Sequence, residues 1–191
     1  SLNLHSSFEV KKVEYPGAVE AYYVDSTPAD CVRFAFDVLG HFDLALSGVN
    51  CGYNIGDDIA YSGTCGAMFD AAFWSSKAIA FSCSFSSFDS FPKYINRVWD
   101  CFESMNLLEK ADLWNVNFPD IVEGITFTRQ GGAYVQDHFH RVEGDIWTQR
   151  GYYIDKEREN EGKLNAVNKG ADSDIYAVEK RNMISITPMI V

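Results

Sequence analysis

Three short apolar runs, separated by stretches long enough to hold a helix, constrain the fold of this chain most. They cover residues 43–47, 78–83 and 113–118, and glycine, proline or polar residues follow each of them. Runs of this length and composition are typical of strands that are buried on both faces of a parallel sheet. The pattern therefore predicts β-α-β units and an α/β fold, a Rossmann-like, mainly parallel sheet with helices on both faces.

The intervening stretches carry helix signals. Thr27 is a suitable N-cap before Pro28, which suits the first helical position, and Ser62 is a suitable N-cap further along. A strand at residues 20–25 comes before the first helix, and we expect it to open the alternation. The predicted helices cover residues 27–39, 62–75 and 92–107.

The character of the chain changes at about residue 125. Residues 1–125 carry the α/β pattern, whereas 126–191 are expected to form a β-rich extension, with a polar, loop-like stretch at 155–173. Strands are predicted at 124–129, 145–154 and 183–191. We interpret the extension as an oligomerisation arm together with the final strand of the core.

Charge and cysteine usage exclude several classes of function. The formal net charge of −11 argues against binding a nucleic-acid polymer, which requires clustered Lys and Arg, and against an anionic membrane surface. The chain contains no apolar run long enough to span a bilayer. Its five cysteines are widely spaced without a C-x-x-C pair, which favours reduced thiols in a cytoplasmic protein over disulfides or a zinc site.

A loop rich in glycine and asparagine follows the run at 43–47. Asn50 lies just after this strand, at the edge where parallel sheets bind ligands, and its amide oxygen could ligate Mg²⁺ or Mn²⁺. It could equally be a turn residue whose side chain binds its own backbone. The same two alternatives hold for Asn54, and Asp57 and Asp58 are either ligands or solvated acids.

The predicted helix after this loop begins with Ser62, Gly63 and Thr64. A helix N-terminus offers unpaired N–H groups and partial positive charge, and is therefore a natural cradle for phosphate. The two hydroxyl groups add donors, and the glycine allows a ligand to approach the backbone closely. An ordinary N-cap explains the same residues equally well.

These segments together resemble a known family. S-G-V-N-C-G-Y-N-I-G-D-D over residues 47–58 and Y-S-G-T over 61–64 resemble the signature of the SurE family of 5′/3′-nucleotidases. Ser26 departs from the pattern, since the family usually has glycine there. Five further segments resemble family motifs in the same order: residues 26–31, 114–119, 128–131, 170–174 and 185–188.

The resemblance implies a metal-dependent phosphomonoesterase that converts nucleoside 5′- and 3′-monophosphates to nucleoside and phosphate. One Mg²⁺ or Mn²⁺ would be held by Asn50 together with two aspartates and a serine from an N-terminal N-D-D-G strand and a later segment, which this chain does not contain. We therefore expect further chain before Ser1. Asn50, Ser62 and Thr64 would be catalytic, and Asn54, Ser62, Gly63 and Thr64 would bind phosphate. The resemblance also implies a homodimer or homotetramer.

Two alternatives remain open at this point. The chain could be a catalytically inactive relative that binds a nucleotide or a partner, or an unrelated α/β binding module. Separately, His138 and His140 would share one face of a strand and could form a metal-binding pair, although exposed loop or hairpin residues explain them better.

Overall fold

A computed structural model describes residues 7–133, 135–153 and 170–190 of the chain. The strands are β1 (Val10–Val13), β2 (Ala21–Val24), β3 (Leu44–Cys51), β4 (Lys77–Cys83), β5 (Leu113–Phe118), β6 (Gly124–Phe127), β7 (Val135–Glu143), β8 (Ile146–Tyr153) and β9 (Met183–Met189). The helices are α1 (Pro28–Phe34), α2 (Gly63–Phe73), α3 (Ser90–Ser104) and α4 (Asp174–Arg181), with a π-helical continuation of α1 over Ala35–Leu39 and 3-10 turns at Gly56–Tyr61 and Leu107–Glu109. Within these ranges no helix is both long and apolar enough to cross a bilayer.

The central sheet has five strands in the order β3-β4-β5-β9-β6. The neighbouring pairs β3–β4, β4–β5 and β6–β9 are parallel, and only the pair β5–β9 is antiparallel among the described strands of this sheet. The predicted mainly parallel α/β sheet is therefore confirmed. The β3–β4–β5 part brings three carboxyl ends to one edge, which is where the candidate site lies.

Helices cover both faces of this sheet, and β4 presents apolar side chains to each of them, small on one face and large on the other. Ala78 and Ala80 face one side, and Ile79 and Phe81 face the other. The small side chains let α2 pack closely, and α3 packs against the large ones. The α2 face adds Cys65, Met68 and Ala71, and the α3 face adds Val98, Phe102, Val116 and Phe118.

Helix α1 begins where the sequence predicts. The hydroxyl of Thr27 accepts a hydrogen bond from the backbone N–H of Asp30 at 3.3 Å, and the Asp30 carboxylate accepts one from the backbone N–H of Thr27 at 3.3 Å. This reciprocal arrangement is a capping box. The hydroxyl of Ser26 donates to the same carboxylate at 2.6 Å. The departure at Ser26 thus adds one more donor at the start of the helix.

Strand β2 forms close to its predicted position but does not belong to the central sheet. It pairs with β1 in a separate antiparallel hairpin, with Val13 opposite Ala21 and Val10 opposite Val24. The expectation that residues 20–25 open the parallel alternation is therefore wrong. The connecting turn contains Gly17 at φ +83°, and the local pairing partner lies only a few residues away.

Beyond residue 125 the structure contains a helix that was not predicted, α4. Ser173 caps it by accepting a hydrogen bond from the Tyr176 N–H at 3.2 Å, and Asn182 ends it in the left-handed conformation. Of the predicted strands, 124–129 is observed as β6, 145–154 as β8 in a hairpin with β7, and 183–191 as β9 inside the central sheet. Most of the predicted loop at 155–173 lies outside the described residues.

Candidate functional site

Strand β3 is irregular near its carboxyl end, where its register with β4 shifts between Ser47 and Asn50. The strand continues through Cys51, so Asn50 lies within it and not, as the sequence predicts, in the loop after it. Gly48 has φ +121°, a conformation that L side chains rarely adopt, and a Cβ added there would collide with the carbonyl oxygen of Phe81. Glycine at this position therefore allows the β3 backbone to approach β4 closely just before Asn50.

Asn50 is half-buried, and its side chain is fixed by its own turn. The amide nitrogen Nδ2 donates a hydrogen bond to the carbonyl oxygen of Gly52 at 2.8 Å. This is the backbone contact that the turn interpretation predicts. Because the nitrogen is used in this way, Oδ1 is the atom of the amide that remains to accept a hydrogen bond or to ligate a cation. The turn contact and a ligand role are thus compatible.

Asn54 fastens the same loop to the sheet. It is 5% exposed, and its backbone N–H donates to Oδ1 of Asn117 at 2.8 Å. Its carbonyl oxygen accepts from the side-chain amides of Asn115 at 2.7 Å and Asn117 at 3.0 Å, and its own Nδ2 donates to the Ser82 hydroxyl at 2.7 Å. The geometry gives Asn54 a positioning role, and its predicted contact with phosphate stays a prediction.

The sequence reasoning did not assign roles to Asn115 and Asn117, which lie on β5 and are fully buried. The signal was present, because two amide side chains interrupt an otherwise apolar strand. A buried amide without partners would be costly, so such residues must have specific hydrogen-bond partners. Here the partner is the backbone of the Asn54 loop.

Helix α2 begins at the N-cap that the sequence predicts, and the predicted contacts of its first turn with phosphate stay a prediction. The Ser62 hydroxyl accepts a hydrogen bond from the Cys65 N–H at 3.0 Å, so the N-cap interpretation is correct. The N–H groups of Gly63 and Thr64 lie in the first turn, where a helix supplies no backbone acceptor. No acidic residue lies in that first turn. The positive end of the helix is therefore not neutralised by its own sequence.

A cavity of about 360 Å³ lies between α1, α2 and residues 45–48 of β3. Its polar lining comes from Ser26, Ser47, Gly48 and Thr64, and apolar residues of α1, α2 and β3 complete it. Thr64 and Gly48 therefore line the same cavity, whereas Asn50, two residues beyond Gly48, does not line it. Asn54 is buried in the hydrogen-bond network on β4 and β5.

Asp174, the first residue of α4, is fully buried and was also missed as a site-organising residue. Its Oδ2 accepts a hydrogen bond from the Gly56 N–H at 3.0 Å, and its Oδ1 accepts from the N–H groups of Gly131 and Ile175, each at 2.8 Å. Burial raises the pKa of the Asp174 carboxyl above its ordinary value. The carboxylate holds the 3-10 turn that leads into Ser62.

One oxygen ligand of a divalent metal ion is available at Asn50. Oδ1 of Asn50 is a hard oxygen that suits one ligand position of Mg²⁺ or Mn²⁺. Among the described residues, no group of three or more His, Cys, Asp or Glu side chains is arranged to hold a metal. His138 and His140 are exposed on β7, opposite Arg150 and Thr148 of β8. Asn50 therefore fits as one ligand of a coordination shell that the described residues do not complete.

Several known proteins are similar to this chain. A family model described as Survival protein SurE matches residues 1–137. A 5′-nucleotidase SurE of Petrotoga mobilis is 32% identical over 179 residues, which cover 84% of this chain and 69% of that protein. A 5′-nucleotidase SurE of Clostridium botulinum is 30% identical over 208 residues, which cover 99% of this chain and 75% of that protein.

A solved structure is similar over almost the whole chain. The crystal structure of the SurE protein from Aquifex aeolicus matches with a TM-score of 0.70 and 26% sequence identity, covering 99% of this chain and 75% of that one. The sequence match and the structural match therefore extend through the central sheet and the turns that carry Asn50 and Ser62. On this evidence the chain belongs to the SurE family.

Proposed function

We propose that this protein is a metal-dependent phosphomonoesterase that hydrolyses nucleoside 5′- and 3′-monophosphates to nucleoside and phosphate. The observation that carries the proposal is the cavity that Thr64 in the first turn of α2 shares with Ser47 and Gly48, two to three residues before Asn50 on β3. A helix N-terminus attracts an anion, and an amide oxygen suits a hard cation, so the arrangement fits a phosphate and a divalent ion side by side. The relatives from P. mobilis and C. botulinum bear the name 5′-nucleotidase.

The phosphate group is held by the first turn of α2. The N–H groups of Gly63 and Thr64 donate to its non-bridging oxygens, and the Thr64 hydroxyl adds a third donor. The Ser62 hydroxyl accepts from Cys65 N–H and keeps its own hydrogen to donate. These donors are fixed before the substrate arrives, which is the condition for stabilising the charge of a phosphoryl transition state.

Asn50 serves as one ligand of a single Mg²⁺ or Mn²⁺ ion, through Oδ1. The family resemblance implies that two aspartates and a serine complete the shell. When bound, the ion supplies activation of water at neutral pH and polarisation of a phosphoryl oxygen. The net charge of −11 supports a need for such an ion, because an acidic protein otherwise repels an anionic substrate.

In the reaction, the oxygen of water forms a bond to phosphorus as the ester P–O bond breaks, and the departing nucleoside oxygen takes up a proton. Ser62, Gly63 and Thr64 keep their hydrogen bonds to the phosphoryl oxygens throughout. Cys65, which follows them, does not compete as a nucleophile. It is buried, and burial raises the pKa of its thiol to about 11, so it remains protonated.

The test is phosphate release from 5′-AMP, 3′-AMP and an aryl phosphate by the purified full-length protein. We expect release with Mg²⁺ or Mn²⁺, loss with EDTA, and loss in Asn50→Ala. Asn96→Ala, on the exposed side of α3, is the matched control and should retain activity. A protein that binds nucleotide by calorimetry but releases no phosphate would instead be the inactive nucleotide-binding relative.

We also propose a homodimer or homotetramer in which the β7–β8 hairpin contacts another subunit. The described side chains of this hairpin include four large apolar groups that are more than half exposed: Phe139, Val142, Ile146 and Trp147. Exposed apolar groups in such number favour an interface. The double variant Phe139→Ser/Trp147→Ser should lower the mass measured by light scattering, and an unchanged oligomeric mass would contradict the assignment.

We propose a cytoplasmic location because all five cysteines are free thiols in the structure. Disulfides persist mainly in oxidising compartments, whereas free thiols are typical of reducing ones. Thiol labelling of the protein immediately after cell lysis, followed by mass spectrometry, should find all five thiols reduced. Recovery of a disulfide from freshly lysed cells would count against the cytoplasm.

A further inference from the structure

Phe85 is a side chain that the hydrolysis of a phosphate ester leaves unexplained. It comes two residues after the end of β4, at the same edge of the sheet as Asn50, and it is 74% exposed. Single exposed apolar residues are normal on protein surfaces, so exposure alone carries no argument. The argument rests on how its ring is held and on what lies beside it.

The ring of Phe85 rests on Gly52. A Cβ added at Gly52 would come within 2.5 to 2.9 Å of the ring atoms Cζ, Cε1 and Cε2. Only glycine therefore allows the tip of the ring to contact the backbone here. The Cys51 thiol lies 3.9 Å from the Phe85 carbonyl oxygen, which it can reach as a weak donor. The ring thus packs on the Gly52 backbone, and the Cys51 thiol contacts the backbone that carries the ring.

The loop that carries Phe85 is anchored on both sides. The Ser84 hydroxyl donates to the Asp120 carboxylate, and the Ser86 N–H donates to the Ser84 hydroxyl at 3.0 Å. Ordering a side chain in advance lowers the entropy that a ligand must overcome on binding. An exposed ring on an anchored loop is suited to binding a flat partner.

Gly52 also links the ring to the candidate metal ligand. Its carbonyl oxygen accepts the hydrogen bond from Asn50 Nδ2 at 2.8 Å, and two residues span at most about 7 Å. Phe85 contacts Gly52, and Thr64 lines the same cavity as Gly48, so both are linked to the segment of chain that carries Asn50.

We propose that Phe85 is the stacking platform for the base of the nucleoside monophosphate. The assignment rests on the proposed function, in which the phosphate is held at Gly63 and Thr64. A base attached through its ribose then extends from the phosphate past Asn50 and reaches the ring. Stacking on an aromatic side chain requires only a π-face and tolerates every base, with a preference for the larger purines. The ring thus makes nucleotides better substrates than phosphate esters without a base.

The experiment compares kcat/KM for 5′-AMP and for ribose 5-phosphate in the full-length protein. The wild type should prefer 5′-AMP. Phe85→Ala should raise KM for 5′-AMP about tenfold, the order expected for losing one stacked base, with kcat and the ribose 5-phosphate parameters little changed. Phe85→Trp should retain the preference. Phe88→Ala removes another partly exposed ring from the same loop and should leave the preference unchanged.

Four outcomes overturn the assignment. An equal loss on both substrates in Phe85→Ala would show a structural role for the ring. Loss of the preference in Tyr61→Ala but not in Phe85→Ala would assign stacking to Tyr61, which is 90% exposed beside Ser62. A wild type that hydrolyses both substrates equally would support the proposed phosphatase activity but show that the protein does not recognise the base. A wild type that hydrolyses neither would refute the proposed function itself.

Discussion

Replacing Asp174 by asparagine tests whether this buried carboxylate holds the candidate site together. In Asp174→Asn, the side-chain oxygen can still accept from the N–H groups of Gly131 and Ile175. The new NH₂ group, however, faces the Gly56 N–H, which Oδ2 of the aspartate accepts at 3.0 Å in the wild type. The substitution therefore removes one hydrogen bond at nearly constant volume and leaves a buried donor without an acceptor.

The expected loss follows from two opposing contributions. A hydrogen bond to a charged group contributes about 1.5–3 kcal/mol. The variant also avoids burying an ionised carboxylate, whose cost is reflected in the raised pKa of Asp174. We therefore expect the free energy of unfolding at neutral pH to fall by about 1–2 kcal/mol, since the first contribution is partly offset by the second.

The pH dependence has a definite sign. Because the folded-state pKa of Asp174 lies above its ordinary value, the stability due to its titration is fully present below the unfolded pKa. It declines as the pH rises through the folded pKa. The variant lacks this group, so the stability gap between wild type and variant should be larger in acid than at neutral pH.

The assays are urea unfolding and hydrogen exchange of the Gly56 amide. The opening constant of that amide should rise by about 5- to 30-fold, in line with the expected loss of free energy. The control is Asp172→Asn, which removes an exposed carboxylate bound to Arg129 at 2.9 Å and should change little. Equal losses in both variants, or unchanged protection of Gly56, would refute the reasoning.

Three further perturbations test other contacts. Asn117→Asp replaces the amide group that donates to the Asn54 carbonyl with an oxygen that only accepts at neutral pH. Urea unfolding should show that the free energy of unfolding falls by about 2–3 kcal/mol at neutral pH and by less in acid, and an equal fall at both pH values would contradict this. Ser62→Ala removes the N-cap of α2, so thermal unfolding should show that the free energy of unfolding falls by about 1 kcal/mol. The rate of phosphate release should fall by more than this loss of stability explains, and a rate that falls only as far as the folded fraction would contradict the prediction. Alkylation should modify the exposed Cys51, but it should modify the buried Cys65, whose thiol pKa is raised to about 11, only after unfolding.

The parts of the fold that depend on local pattern could be predicted from the sequence. Strands β4 and β5 are continuous apolar runs, and the start of α2 follows from Ser62 as its cap. The pairing of strand β2 could not be predicted in the same way. β2 pairs with β1 rather than with the central sheet, because a nearby strand is available across a short turn. A β-strand pattern predicts a strand but does not identify its neighbour.

The candidate site likewise combines residues that a local sequence pattern reveals with contacts that it does not reveal. Asn50, Ser62, Gly63 and Thr64 follow from a contiguous loop and helix start, and their roles in binding and catalysis stay predictions. The support beneath them is non-local. Asn54 depends on amides 61 and 63 residues away in the chain, and the Gly56 turn depends on a carboxylate 118 residues away. No local pattern reveals contacts between residues so far apart.

The place of β9 has a consequence for synthesis of the protein. β9 lies between β5 and β6, with Leu113 of β5 opposite Met189. β5 and β6 are close in sequence, but each is hydrogen-bonded to β9, which is synthesised much later. A nascent chain that ends before Met189 therefore has an incomplete central sheet and an open edge at β5. Ribosome-bound chains should become compact and resistant to protease only after Met183–Met189 has emerged from the ribosome. The domain therefore folds late, as a unit, and not strand by strand.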